Sequence, residues 1–106
     1  MAKYLFEAHY NAEGAKGLAR EGGSARRAAV AKMTEHLGGK LEAFYYAFGD
    51  ADAYVIADLP DNATAAAFAL AVNQSGAVTG KTVALITPED MDKACKKNVE
   101  YRSPGR

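Results

Sequence analysis

The amino-acid sequence predicts a small α+β domain with a four-stranded antiparallel sheet and helices on one of its faces. Four stretches alternate their side chains with the period of two that is typical of β-strands. Between them lie segments with helix-capping residues and apolar spacings of three and four residues. The 106 residues suffice for one domain, and the segments follow the order strand, helix, strand, strand, helix, strand, with one further helix at the end.

The first strand is predicted over Lys3 to Tyr10. Its two faces carry Tyr4, Phe6, Ala8 and Tyr10 on one side and Lys3, Leu5, Glu7 and His9 on the other. Asn11 then offers an N-cap for a helical segment. Because Gly14, Gly17 and Gly22-Gly23 interrupt that segment, we expect a short and weakly anchored helix.

A second helix is predicted to begin at Ser24, whose side chain can cap it. The residues that share one apolar face of this helix are Val30, Met33, Thr34 and Leu37. Gly38-Gly39 follows, and a glycine in the left-handed conformation commonly ends a helix. The chain then returns to the sheet.

Two further strands are predicted over Lys40 to Phe48 and Asp52 to Leu59, since both alternate and carry aromatic or β-branched residues. In the first of them the two faces are expected to be Phe44, Tyr46 and Phe48 against Leu41, Ala43, Tyr45 and Ala47. The corner Gly49-Asp50-Ala51 is short enough for a hairpin, because glycine and aspartate tolerate turn conformations. Asp50 and Asp52 could form a paired carboxylate site, but hydrogen bonding within the turn is the simpler interpretation.

An alanine-rich helix is predicted from a cap at Asp61 or Asn62 to about Asn73, and Gly76 ends it. A last strand is predicted over Val78 to Thr87, which contains the β-branched run TVALI. These two segments complete the second strand-helix-strand unit.

Pro88 begins a final short helix that is expected to reach about Lys97, since proline favours the first helical position. We expect residues 1–97 to form the domain and residues 98–106 to be a loosely ordered tail. The single cysteine, Cys95, is interpreted as a half-buried thiol on this helix rather than a redox group.

This order of segments predicts the ferredoxin-like βαββαβ arrangement, in which right-handed crossovers place the helices on one face of the sheet. The other face is left uncovered. Bulky residues nevertheless occur on both faces, as Tyr45 and Tyr46, or Val55 and Ile56, show. A second copy that packs against the uncovered face would remove the apolar side chains from water. We therefore predict a homodimer that buries about 800 Å² or more per subunit.

Composition excludes several classes of function. The 13 basic and 13 acidic residues balance, so the chain lacks the positive charge that nucleic-acid binding requires. The longest apolar run, Ala65 to Val72, is too short for a membrane span. The N-terminal residues do not form a signal peptide, which indicates a cytoplasmic location. Cys95 has no metal-ligating partners at zinc spacing, and no metal or cofactor is expected.

The segments EGGSARRAAV, LGGKLEAFYYAFGDADAYVIADLPDN, AVNQSGAV and LITPEDMDKA resemble the GYD domain family. The resemblance extends from about Lys3 to Lys97, and it implies a small bacterial protein of the ferredoxin-like, dimeric α/β-barrel superfamily. The family has no agreed activity. Of its Gly-Tyr-Asp signature, Gly49 and Asp52 are in place, but Ala51 occupies the tyrosine position. The wider superfamily includes monooxygenases, decarboxylases, isomerases and haem enzymes, so the resemblance leaves open whether the chain is an enzyme.

Residues of the predicted sheet supply the first candidate site. His9 could act as a general base with Glu7 beside it on the same face, although a polar pair at a strand end or dimer interface is the simpler interpretation. Three tyrosines would present hydroxyl groups to a ligand or pack in an interface, namely Tyr45, Tyr46 and Tyr54. Lys81 could orient an anionic substrate, or it could protect an edge strand from aggregation.

The stretch EGGSARR supplies a second candidate site. A helix that starts after Gly-Gly exposes backbone amides, and Arg26 and Arg27 lie close by, so a phosphate or carboxylate could bind there. Alternatively the glycines permit a bend, Ser24 caps the helix, and the arginines are solvated or paired with Glu21. The stretch lacks the strand-loop-helix context of a phosphate-binding loop.

Three functions are therefore compatible with the sequence. The preferred one is a dimeric module that binds a small organic ligand in a sheet-lined cavity. The second is a cofactor-free oxygenase or isomerase that acts on a small hydrophobic acid, with His9 as base and Tyr46 or Lys81 as orienting groups. The third is a structural or assembly module.

Overall fold

The computed structural model describes all 106 residues. Its strands are β1 (Ala2–Tyr10), β2 (Lys40–Tyr46), β3 (Ala53–Leu59) and β4 (Val78–Leu85). Its helices are α1 (Ala12–Glu21), α2 (Gly23–His36), α3 (Asn62–Gln74) and α4 (Pro88–Cys95). The strands form one sheet in the order β2-β3-β1-β4, and every neighbouring pair is antiparallel. The predicted α+β, ferredoxin-like class is confirmed.

The hydrophobic core lies between the sheet and helices α2 and α3. Its buried residues are Tyr4, Phe6, Val30, Val55, Ala57, Leu59, Ala65 and Phe68. The rings of Phe6 on β1 and Phe68 on α3 stack with their centroids 4.2 Å apart. Burial of one such side chain contributes about 1.5–3 kcal/mol. The contact between Phe6 and Phe68 therefore stabilises the packing of α3 on the sheet.

The opposite side of the sheet, which we call the open face, carries side chains that are all half-buried or exposed. Strand register assigns to it Lys3, Leu5, Glu7, His9, Tyr45, Tyr54, Ile56, Asp58, Lys81 and Val83. The Lys3 ammonium donates to Glu42 at 2.6 Å and to Asp58 at 2.9 Å. These two hydrogen bonds, first that to Glu42, raise the pKa of Lys3. The open face therefore has an apolar row, Leu5 with Ile56 and Val83, between charged pairs: Lys3 and Asp58 lie on one side of it and Glu7 and Lys81 on the other.

A bulge in β2 corrects one detail of the predicted strand. The register with β3 shifts between Leu41 and Ala43, where a β-bulge places one extra residue in β2. As a result Leu41 shares the helix side with Phe44 and packs against the core. The prediction that Leu41 and Ala43 point to the same face is wrong, since simple alternation cannot detect the extra residue.

Helix boundaries depend on residues that suit each end. Gly22 separates α1 from α2 with φ of +90°, which favours glycine, and it caps α2 in place of the predicted Ser24. Gly38, with φ of +80°, follows α2 as the sequence predicts. At the start of α3 the Asp61 carboxylate accepts hydrogen bonds from the Thr64 hydroxyl and backbone N–H. Both bonds, that of the hydroxyl first, lower the pKa of Asp61.

The corner between β2 and β3 is held against the end of β1. The Asp52 carboxylate accepts a hydrogen bond of 2.8 Å from the Tyr10 backbone N–H, and the Asp52 backbone N–H donates to the Ala8 carbonyl at 2.8 Å. Ala51 is only 1% exposed. The Asp52 carboxylate thus serves the structure of the turn.

The C-terminal helix α4 extends away from the rest of the molecule. None of its residues is buried, and Cys95 is exposed rather than half-buried as the sequence predicted, because α4 packs on nothing within the chain. The Cα radius of gyration is 16.9 Å, against about 13 Å for a compact chain of this length. We call residues 86–101 the C-terminal arm. No helix has the length and apolar character that a membrane span requires.

Candidate functional site

A small apolar cavity, the inner cavity, lies on the helix side of the sheet. Its volume is about 60 Å³, and all four strands together with α2 and α3 contribute to its wall. The side chains that make the wall apolar are Phe6, Val30, Phe44, Val55, Phe68 and Val72. The cavity therefore lies beside the hydrophobic core and is partly open to the surface, where the sheet and the two helices do not close on each other completely.

A second and more polar cavity, the outer cavity, adjoins the inner one beside α1. Its volume is about 240 Å³. Its charged wall residues are Glu13, Arg20, Glu21 and Arg26. Tyr10, Arg26 and Val78 border both cavities, so the two cavities meet at these three residues, and we call this boundary the passage.

Close packing of α1 against the segment before β4 shapes the outer cavity. A Cβ atom at Gly14 would stand 2.3 Å from the Ala77 carbonyl oxygen. The Asn11 backbone N–H donates to that oxygen at 3.0 Å, and the Asn11 side chain accepts from the Gly14 N–H at 2.9 Å. Around Gly17, in contrast, a Cβ atom would meet nothing within 4 Å. Gly14 therefore permits a close approach, whereas Gly17 borders open space.

Two tyrosine hydroxyl groups lie together near the passage. The Tyr46 hydroxyl donates to the Gly23 carbonyl at 3.2 Å. Desolvation of this hydroxyl is the main cause of a pKa of about 12 for Tyr46, and the neighbouring Tyr10 adds to the rise. Since Tyr46 keeps 40% of its surface exposed, the rise reflects the surroundings of the hydroxyl and not burial of the whole ring.

Tyr10 responds to the same surroundings. Burial raises the pKa of Tyr10, and the positive charge of Arg26 partly opposes the rise. Both phenols are consequently protonated at neutral pH. The Tyr10 hydroxyl can donate a hydrogen bond to a ligand, whereas Tyr46 donates its single proton to Gly23 and borders neither cavity. Neither phenol is a base at neutral pH.

Arg26 contributes a half-buried cation to the passage. Its ion-pair partner is Glu21, at a nitrogen-oxygen distance of 3.9 Å, which is too long for a hydrogen bond. Exposed ion pairs of this kind contribute little. The guanidinium donors of Arg26 can therefore turn to a ligand at small cost.

The residues predicted for a site fall on two sides of the sheet. Tyr46 and Arg26 come together on the helix side, beside the passage. The open face holds His9, Glu7, Tyr54 and Lys81, with Glu7 directly opposite Tyr54 on β3 and Lys81 on β4. Glu7 and Lys81 also border the inner cavity, but strand alternation assigns their side chains to the open face. Arg27 is exposed on α2 and borders neither cavity.

His9 has a structural partner. Its Nε2 lies 2.5 Å from the Asp50 carbonyl oxygen, and since a carbonyl only accepts, the ring nitrogen is the donor. His9 thus fastens the end of β1 to the β2-β3 corner, on the side of the sheet away from the inner cavity.

The sequence interpretation selected neither Val78 nor Tyr10 of the passage, and of these two only Tyr10 is polar. Its position alternates with Tyr4 and Phe6, which form the core. A tyrosine at the end of an otherwise apolar face was the available signal, because a buried hydroxyl needs a polar partner. No three histidine, cysteine, aspartate or glutamate side chains converge in a way that could hold a metal ion.

Comparison with known proteins identifies the family. No curated protein and no solved structure matches the chain. The model of the GYD domain matches residues 4–95, almost the whole of the 106 residues, and it agrees with the resemblance predicted above. The chain therefore belongs to the GYD domain family.

Proposed function

We propose that this protein binds a small organic ligand in the inner cavity. The observation that carries the proposal is an apolar cavity whose wall includes two residues with polar ends, Tyr10 and Arg26. Small-molecule sites are typically apolar concavities with a few convergent polar groups. The inner cavity has this composition, and its volume accommodates a group of a few heavy atoms.

The energetics of the cavity support a ligand. The cavity is partly open to the surface, so its apolar wall lacks contacts with neighbouring atoms that a packed interior supplies, each worth about 0.1–0.2 kcal/mol. A ligand that fills the void restores these contacts. Alanine rather than a larger residue at position 69, which borders the cavity, helps to leave the void open.

We further propose that two copies pack through their open faces. Leu5, Ile56 and Val83 are neighbours at the centre of this face, and Tyr45 is 71% exposed. Apolar surface of this kind marks an interface. Because the inner cavity lies on the opposite side of the sheet, dimerisation leaves it accessible.

The sheet alone offers a small interface. Four strands spaced about 4.8 Å apart and about 25 Å long project roughly 480 Å², below the ~800 Å² per partner of a standard interface. The C-terminal arm carries exposed Ile86, Met91, Val99 and Tyr101. These residues would supply the remaining area by packing on the second copy.

No observation favours the oxygenase or isomerase alternative. That mechanism needs a base beside the ligand, and His9 lies on the open face while both phenols at the passage are protonated at neutral pH. The assembly alternative is favoured by the exposed arm, and it does not compete with ligand binding, since the arm does not border the inner cavity.

A thermal-shift measurement with cavity-filling variants tests ligand binding. The probe is butyramide, a neutral molecule with a three-carbon end. We expect it to raise the Tm of the wild type, because a ligand that binds only the folded state stabilises it. Ala69→Leu fills the inner cavity and should abolish the rise. Ala66→Leu changes an exposed residue of the same helix that does not border the cavity, and the rise should persist. No rise in the wild type, or an equal rise in Ala69→Leu, would contradict the proposal.

A further inference from the structure

The two cavities differ in character but share three wall residues. The inner cavity is apolar and the outer cavity is charged, and Tyr10, Arg26 and Val78 border both. A molecule that occupied both would need an apolar end and a polar remainder. The passage would then face the atoms at which the two parts join.

The size of the inner cavity limits the apolar end. A cavity of about 150 Å³ holds the six carbons of benzene, so a volume of about 60 Å³ takes two or three carbons on the same scale. An aromatic ring is too large. The outer cavity, at about 240 Å³, leaves room for a larger polar group.

The positive charge of Arg26 at the passage determines which chemical group of the ligand can follow its apolar end. Arg26 is half-buried, and its guanidinium is 3.9 Å from Glu21, so its donors are not committed to a hydrogen bond within the chain. The Tyr10 hydroxyl adds a neutral donor. A guanidinium with a phenol beside it matches the acceptor geometry of a carboxylate or a phosphate.

We infer that the ligand is an organic anion with a short aliphatic end. Its two- or three-carbon end fills the inner cavity, its carboxylate or phosphate binds Arg26 and Tyr10 at the passage, and any remaining polar part lies in the outer cavity. This inference rests on the proposed function, because it assumes that the inner cavity is occupied.

Isothermal titration with three probes of matched size tests the inference. The probes are butyrate, propyl phosphate and butyramide, each with a three-carbon end, and the proteins are the wild type, Arg26→Gln and Arg27→Gln. We expect at least one anion to bind the wild type about tenfold more tightly than butyramide, the effect of charge-assisted hydrogen bonds. Arg26→Gln should reduce that preference, taken as the ratio of the Kd values for butyramide and the anion in the same protein, to about one. Arg27→Gln is the matched control, since Arg27 is exposed beside Arg26, and it should keep the preference.

The outcomes separate the two proposals. Equal binding of the anions and butyramide by the wild type, or an undiminished anion preference in Arg26→Gln, overturns the inference and leaves ligand binding in the inner cavity intact. Failure of all three probes to bind overturns the proposed function together with the inference.

Discussion

The surroundings of Tyr46 raise the pKa of its hydroxyl group. Its pKa is about 12, whereas an unperturbed tyrosine has a pKa of about 10. A group whose pKa is raised on folding contributes stability that is fully present below the unfolded pKa and is lost as the pH rises towards the folded one. The contribution of Tyr46 is therefore present at neutral pH and declines between about pH 10 and pH 12.

We expect Tyr46→Phe to reduce this alkaline loss. The free energy of unfolding of the wild type should fall more steeply from pH 10 upwards than that of the variant, because phenylalanine has no proton to release. Urea unfolding at a series of pH values measures the difference, and tyrosinate absorbance follows the ionisation directly. Parallel pH dependence of the two proteins would show that Tyr46 ionises as an unperturbed tyrosine does.

Gly14 and Gly17, three residues apart on α1, should respond oppositely to the same substitution. Gly14→Ala places a methyl group 2.3 Å from the Ala77 carbonyl oxygen, and we expect a loss of about 1–3 kcal/mol from overpacking. Gly17→Ala meets no atom within 4 Å, so the gain in helix propensity should stabilise by about 0.5–1 kcal/mol. Chemical unfolding of both variants measures these changes. A similar change in the free energy of unfolding at both positions would show that α1 does not pack against Ala77 as it does in the structure.

The strands show how far a period of two predicts an element. Alternation in β1 assigned both faces correctly, because every residue from Lys3 to Tyr10 pairs in register with β3, β4 or both. In β2 the bulge places Leu41 on the helix side of the sheet, contrary to the prediction. A bulge does not require a particular residue type, so the alternation of side chains did not reveal it. Helix ends were predicted where a side chain or a glycine is required, as at Asp61 and Gly38.

The candidate site was less predictable than the fold. Alternation could not say which face of β1 the helices cover, so His9 and Glu7 were considered together with Tyr46, which lies on the other side. The passage is formed by β1, α2 and the residues around Val78, and proximity across three elements cannot be derived from local spacing. Of the alternatives weighed for Arg26, the pairing with Glu21 is present in the structure.

The C-terminal arm is the element that most requires a partner. Isolated helices shorter than about 12–15 residues are marginal in water, and α4 has 8 residues with none buried. We expect deletion of residues 88–106 to leave the fold of the remaining chain unchanged, as judged by circular dichroism, and to weaken the dimer at least tenfold. Sedimentation equilibrium measures the association. An unchanged dimer affinity would exclude a contribution of the arm to the interface.

At the scale of the whole molecule the two faces of the sheet have different expected roles. Ile56→Lys places a charge at the centre of the open face, where it would be buried without a partner in a dimer, and such burial is costly. We expect this variant to be a folded monomer at micromolar concentration. Ala66→Lys, on the exposed side of α3, is the control and should remain a dimer. A wild type that is itself a monomer at that concentration would contradict the proposed assembly.

The most direct measurement is chemical-shift mapping of the isotope-labelled protein during titration with butyramide. Binding in the inner cavity predicts that the largest changes occur at Val30, Phe68, Val72 and Val78, all of which border it. Residues of the open face such as Leu5, Ile56 and Val83 should change little. Changes confined to the open face, or no saturable change at any residue, would contradict a ligand site between the sheet and its helices.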